Sequence, residues 1–144
     1  MIIINKKKDL EKLKNIKGSY LLIIYLEKDS TILTRRKQFD LKKGFYVYVG
    51  SAKNGLFSRL NRHFSKNKKL FWHVDFLLAE AKIKKAICFV KKEENELAKF
   101  FLKRAKPIFG FGCSDSIADK SHLFFLGEGT LSDSLLRQLA ELDD

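Results

Sequence analysis

Two glycine-bounded aromatic runs constrain this chain more than anything else in it. Gly18 opens Ser19–Leu26, where Tyr20, Ile23, Ile24 and Tyr25 stand among leucines. Gly44-Phe45-Tyr46-Val47-Tyr48-Val49-Gly50 is the second. Aromatic and β-branched residues suit a pleated, half-buried surface, so both runs read as strands. Asp29-Ser30 is a turn signal, and Thr31–Thr34 is the natural return strand of a hairpin. Three consecutive strands with short connections predict an antiparallel meander, in which the first and third strands can flank the second.

After Gly50 the apolar period becomes helical. In Leu56–Lys66, the residues Leu56, Phe57, Leu60 and Phe64 share one arc of about 100°, while Arg59, Arg62, His63 and Lys66 share another. His73–Lys82 is a second helix, with Val74, Leu77, Leu78 and Ala81 as its buried stripe, and Ala86–Val90 a strand. Glu93–Ala105 is a third helix, carrying Leu97, Ala98, Phe101 and Ala105 inward. Pro107 precedes a turn-rich segment, Gly110–Asp115, and then come a strand, His122–Leu126, and a polar helix, Ser132–Leu142. Residues 8–17 alternate charged and apolar positions as a short amphipathic helix does. The expected fold is α+β: a small antiparallel three-stranded central sheet flanked by helices, with an extra C-terminal strand and helix. Residues 1–126 form one domain. Residues 127–144 form an acidic helical tail, either part of that domain or a subunit contact.

Composition narrows the function. The 144 residues are 45% apolar with one proline and eight glycines, which excludes a disordered or collagen-like chain. Apolar runs fall far short of a membrane span of roughly 20 residues, and the first apolar residues precede Lys6–Lys8, the reverse of a secretory signal. A soluble, cytoplasmic protein with no membrane partner is expected. Cys88 and Cys113 cannot build a disulfide framework or a four-cysteine zinc site. The net charge is +12, yet residues 127–144 carry five acids against Arg137 alone, so the rest of the chain holds +16. A surface that positive attracts polyanions, nucleic acid foremost.

The order Gly18-Ser19-Tyr20, Tyr48-Val49-Gly50, Arg59-Leu60 with His63, and a glutamate opening a later helix resembles the GIY-YIG nuclease superfamily. More narrowly, the chain is similar to a small stand-alone branch of that superfamily. The likeness rests on Tyr46–Ala52, Trp72–Leu78, Glu94-Asn95-Glu96-Leu97-Ala98, Phe111–Asp115 and Ser121-His122-Leu123, and spans residues 16–126. The first motif departs from the usual pattern at Ser19, where isoleucine is usual, and the second conservatively at Val49. Ser19 alternates to the face opposite Tyr20, so it bears on packing rather than on the pocket.

The resemblance implies a metal-dependent phosphodiester hydrolase acting on nucleic acid, DNA in the first instance, with repair as a setting. Tyr20 would deprotonate or orient the attacking water, which needs positive charge near a phenol whose ordinary pKa is about 10. Tyr48 would hydrogen-bond in the same pocket, Arg59 would bind the transition-state phosphate, and His63 would assist proton transfer or hold phosphate. Glu94 would hold one Mg²⁺, with Mn²⁺ as its substitute. The helix wheel favours Glu94 over Glu96, since Glu94 falls within the apolar stripe and Glu96 at its polar side. Lys53, Arg62, Lys66, Lys68 and Lys69 would contact the nucleic-acid backbone. His73 and Asp75, two apart, make a poor metal pair and point to structural or substrate-contact roles, and Cys113 and His122 are too isolated for zinc. The alternative is a non-catalytic DNA- or RNA-binding module on the same fold. Oligomeric state stays open.

Overall fold

The computed structural model describes residues 1–112, 121–129 and 131–143. The elements run β1 (Ile2–Ile4), a 3-10 helix (Lys7–Leu13), β2 (Gly18–Leu26), β3 (Ser30–Leu33), β4 (Gln38–Leu41) and β5 (Gly44–Ala52). Then come α1 (Leu56–Phe64), α2 (His73–Leu78), β6 (Lys82–Phe89), α3 (Glu94–Leu102), β7 (Lys106–Pro107), β8 (Leu123–Gly127) and α4 (Asp133–Asp143). The fold is mixed α+β, with an antiparallel sheet in the order β1-β6-β2-β5-β8-β7.

The sheet has six strands, not the expected three, and the meander does not form. β2 and β5 pair directly over their whole length, from Gly18↔Ala52 to Leu26↔Gly44. The expected middle strand pairs with β4 instead, as a separate two-stranded hairpin. The reason lies in burial. β2 is apolar on both faces and almost wholly buried, whereas β3 and β4 alternate buried Ile32, Phe39 and Leu41 with exposed positions that are polar except for Leu33. A strand with one polar face belongs at the rim of a two-faced sheet, not in its middle. β6 begins earlier than the expected strand, because Lys82, Ile83 and Lys84 alternate outward and inward as strand residues do, and α2 accordingly stops at Leu78.

The central sheet separates two cores. On one face Tyr20, Leu22, Ile24, Tyr46 and Cys88 meet Leu10 and Leu13 of the 3-10 helix, Leu56 and Leu60 of α1, Val74 and Leu77 of α2, and the hairpin. On the other, Leu21, Ile23, Val47, Val49, Ile87 and Phe124 meet Leu97 and Phe101 of α3 and Leu139 of α4. The acidic tail thus contributes a helix whose apolar side, with Leu135, Leu136 and Leu142, packs on this second core. Among the described residues no helix is long and apolar enough to cross a membrane.

Candidate functional site

The β2–β5 register sets Tyr20 opposite Gly50 and Leu22 opposite Tyr48. Tyr20 and Tyr48 are therefore diagonal neighbours on one face of adjacent strands, with ring centroids 6.5 Å apart. They meet because β2 and β5 touch, not because a middle strand lies between them. A Cβ added at Gly50 would overlap the Tyr20 ring and hydroxyl, so the phenol crosses space that only glycine leaves open.

Helix α1 brings the next two groups. Its buried line is Leu56, Leu60 and His63, at i, i+4 and i+7, while Phe57 and Phe64 lie half-buried on its flanks. His63 is thus 3% exposed, inside rather than on the expected polar arc. The wheel assigned it by polarity, but its ring completes the stripe that faces the sheet. There His63 Nε2 lies 2.6 Å from Tyr20 Oη. Burial, reinforced by Lys68 and opposed by Asp75, pushes the imidazole down to about 3, so it is neutral. Burial likewise raises the Tyr20 phenol well above its usual value, with Tyr48 and Glu94 adding to the shift and Arg59 opposing it. The pair is a neutral phenol on a neutral imidazole. His63 Nδ1 has no hydrogen-bond partner among the described residues.

Arg59 donates to the Ser51 carbonyl at 3.1 Å, and its guanidinium lies 4.4 Å from the Trp72 ring centroid. Arg62 lies 4.8 Å from the same ring and donates to Asp75 Oδ2 at 2.6 Å and to the Lys69 carbonyl at 3.1 Å. Asp75, fully buried, also accepts the Phe71 and Trp72 amides at 2.9 Å. That is a structural role; the spacing from His73 allowed a structural or a substrate-contact one. Lys68 Nζ donates to the His63 and Arg62 carbonyls at the end of α1, and burial lowers its ammonium pKa. Of the five cations expected on a nucleic-acid backbone, Arg62 and Lys68 are therefore engaged inside the fold, and Lys53, Lys66 and Lys69 are exposed.

Glu94 reaches the site from the other side of the sheet. It opens α3, its side chain is 35% exposed, and Oε2 lies 3.9 Å from His122 Nδ1. Ser19 Oγ donates to the Lys92 carbonyl at 2.5 Å, tying the entry to α3 to the start of β2. Glu96 is more exposed and faces Lys92 Nζ at 3.6 Å. Gly112, at φ +73°, would bring a Cβ within 3.3 Å of both the Tyr48 ring and His122. Its amide donates to His73 Nδ1 at 2.9 Å. Cys113, Ser114 and Asp115 lie outside the described residues.

Tyr20, Tyr48, Arg59 and His63 are thus gathered at one end of the β2–β5 pair, with Glu94 at their edge. Two neighbours received no site role from the sequence. Trp72 stood in the segment Trp72–Leu78 and His122 in Ser121-His122-Leu123, both of which carry the likeness, and His122 was set aside as too isolated for zinc. Among the described residues no group of three or more His, Cys, Asp or Glu side chains could hold a metal ion. One half-exposed carboxylate suits a hard cation that keeps its waters and takes further oxygens from a phosphate, not one caged by protein.

Residues 19–142 match the family described as Domain of unknown function DUF123. The chain belongs to that family. The DUF123 match runs from within β2 to within α4 and takes in every site residue from Tyr20 to His122. No curated protein and no solved structure matches the chain.

Proposed function

We propose that this DUF123 chain is a divalent-metal-dependent phosphodiester hydrolase of nucleic acid on a GIY-YIG-like fold, with DNA as substrate and repair as the setting. The observation that carries the reading is the 2.6 Å bond between Tyr20 Oη and His63 Nε2, beside Tyr48 and Arg59 and with Glu94 at its edge. A neutral imidazole can accept the phenol's hydrogen bond through Nε2, which fixes the hydroxyl without Tyr20 resting as a phenolate. As water attacks phosphorus its proton is relayed through the Tyr20 hydroxyl, held by His63, and ends on the leaving oxygen, because an imidazole pushed down to about 3 does not keep it. Arg59, held by Ser51 and Trp72, offers its remaining donors to the phosphate. Tyr48 orients the same group. Glu94, with His122 beside it, would hold Mg²⁺ or Mn²⁺, which when bound supplies charge neutralisation at the leaving oxygen. Lys53, Lys66 and Lys69, exposed, would meet backbone phosphates.

One observation favours the second reading, a non-catalytic nucleic-acid-binding module: Tyr20 is only 1% exposed, so its hydroxyl faces His63 more than solvent. Cleavage of plasmid, single-stranded, nicked and branched DNA and of RNA, with Mg²⁺, Mn²⁺ or EDTA, separates the two. Metal-dependent cutting that disappears in Glu94→Ala while binding persists is the expected result. Salt-sensitive binding without cutting by either protein leaves only the binding module.

A further inference from the structure

The β3–β4 hairpin stands apart from the central sheet, and its turn is a cationic run, Arg35-Arg36-Lys37, exposed throughout. It touches two other loops. On one side Arg35 donates to the Leu70 carbonyl at 3.5 Å, and its guanidinium lies 5.5 Å from the Phe71 ring centroid. On the other, Lys37 donates to the Gly110 carbonyl at 3.3 Å. The two residues next to these carbonyls, Phe71 and Phe109, are 61% and 68% exposed, among the most exposed large apolar side chains of the chain. Below them a buried aromatic layer holds the loops in place: Phe39 of the hairpin lies 4.9 Å from Phe111 and 5.3 Å from His73, and His73 5.5 Å from Phe111, ring centroid to centroid.

A single exposed aromatic is ordinary, but here two flank one cationic turn and neither belongs to either core, Phe71 meeting only Arg35 and the edge of Trp72 among the rings and cations described. Their surroundings decide which contact. An apolar protein partner would gain nothing from three adjacent cations, whereas a nucleic-acid strand needs both features, since cations track phosphates while aromatic rings take unpaired bases by stacking. Duplex DNA hides its bases from such rings. The loops also border the site, because Trp72 stacks on Arg59 and Gly112 packs on Tyr48.

We infer that the hairpin turn and the two loops it bridges form a platform for an unpaired strand, with Phe71 and Phe109 stacking on bases and Arg35, Arg36 and Lys37 on the phosphates between them. This rests on the nucleic-acid reading above and names its substrate class: a strand or junction with unpaired bases next to the scissile phosphate.

The test is fluorescence anisotropy in EDTA and low salt, with a labelled single-stranded deoxyoligonucleotide, the same sequence as RNA, and the matching duplex. Phe71→Ala and Phe109→Ala should each weaken single-strand binding by about tenfold and duplex binding by less than about twofold. Phe71→Tyr and Phe109→Tyr, which keep a stacking ring, should stay within about twofold of wild type on every probe. A loss on DNA, on RNA or on both supports the platform and identifies the strand it takes. Undiminished single-strand binding in both alanine variants, or an equal loss on duplex, overturns it. Because no cleavage is needed, single-strand binding without cutting would remove the hydrolase reading and leave the platform. Cutting with unaltered single-strand binding in the variants would do the reverse.

Discussion

Gly50 stands directly across the β2–β5 ladder from Tyr20, and the phenol ring occupies the volume that any side chain at Gly50 would need. The absence of one methyl group thereby sets where the Tyr20 hydroxyl meets His63. Gly50→Ala is expected to push the ring aside, lower stability by about 1–3 kcal/mol and abolish metal-dependent cutting. Urea unfolding and cleavage rates check this. A Gly50→Ala protein with wild-type stability would mean that the ring has room to spare.

Tyr20→Phe keeps the ring and removes only the hydroxyl. His63 would then have neither ring nitrogen bonded among the described residues, a cost of about 1–3 kcal/mol. Proton transfer would lose its first acceptor, so cleavage should fall by about 10²-fold or more. Thermal unfolding and single-turnover cleavage of the same preparation provide the two readouts. Full cleavage by Tyr20→Phe would remove the phenol from the mechanism.

Folding should weaken in mild acid. In the unfolded chain a histidine takes up its proton near 6.5, but His63 in the fold does so only near 3. Its contribution is complete above about pH 6.5 and declines as pH falls towards 3, by up to about 1.4 kcal/mol per pH unit. His73, also pushed down by burial, acts in the same direction. Urea midpoints between pH 7.5 and 4 should show this slope, and His63→Gln should flatten it. An unchanged slope in that variant would place the acid sensitivity elsewhere.

Asp75→Asn tests the support beneath the arginines. The carboxylate takes the Arg62 guanidinium and two backbone amides on one oxygen, and an asparagine can match the geometry without the charge. With Arg62 partly exposed, a loss of about 2–3 kcal/mol is expected. Trp72 fluorescence should shift as its packing against Arg59 and Arg62 loosens. A stability change below about 0.5 kcal/mol would show that the amide replaces the carboxylate fully.

What the sequence displayed well was local. Ser19–Leu26 and Gly44–Gly50 read as strands because their residue types suit a sheet whatever they pair with, and α1 and α3 showed their period. Pairing was hidden, because it depends on which strands have two apolar faces to cover, and only the assembled sheet sets β3–β4 aside as a rim hairpin. β1 was too short to display a period. His63 was placed outward because a wheel drawn from apolar residues alone ignores a histidine that joins the stripe through a tyrosine hydroxyl. The order of Tyr20, Tyr48, Arg59, His63 and Glu94 was visible along the chain. Trp72 and His122 needed the contacts themselves.

Tyr20 and His63 rest on the core beneath α1 and α2, whereas Glu94 is carried by the helix that covers the opposite core. The site therefore sits on the seam between the two cores, stitched there by Ser19 and Lys92. Local opening of α3 would withdraw the carboxylate while the phenol–imidazole pair stayed intact. Amide exchange should register that as two protection classes meeting at one mouth. Inactivating substitutions far from the site would then sort by which core they loosen, some silencing the carboxylate and others the proton path.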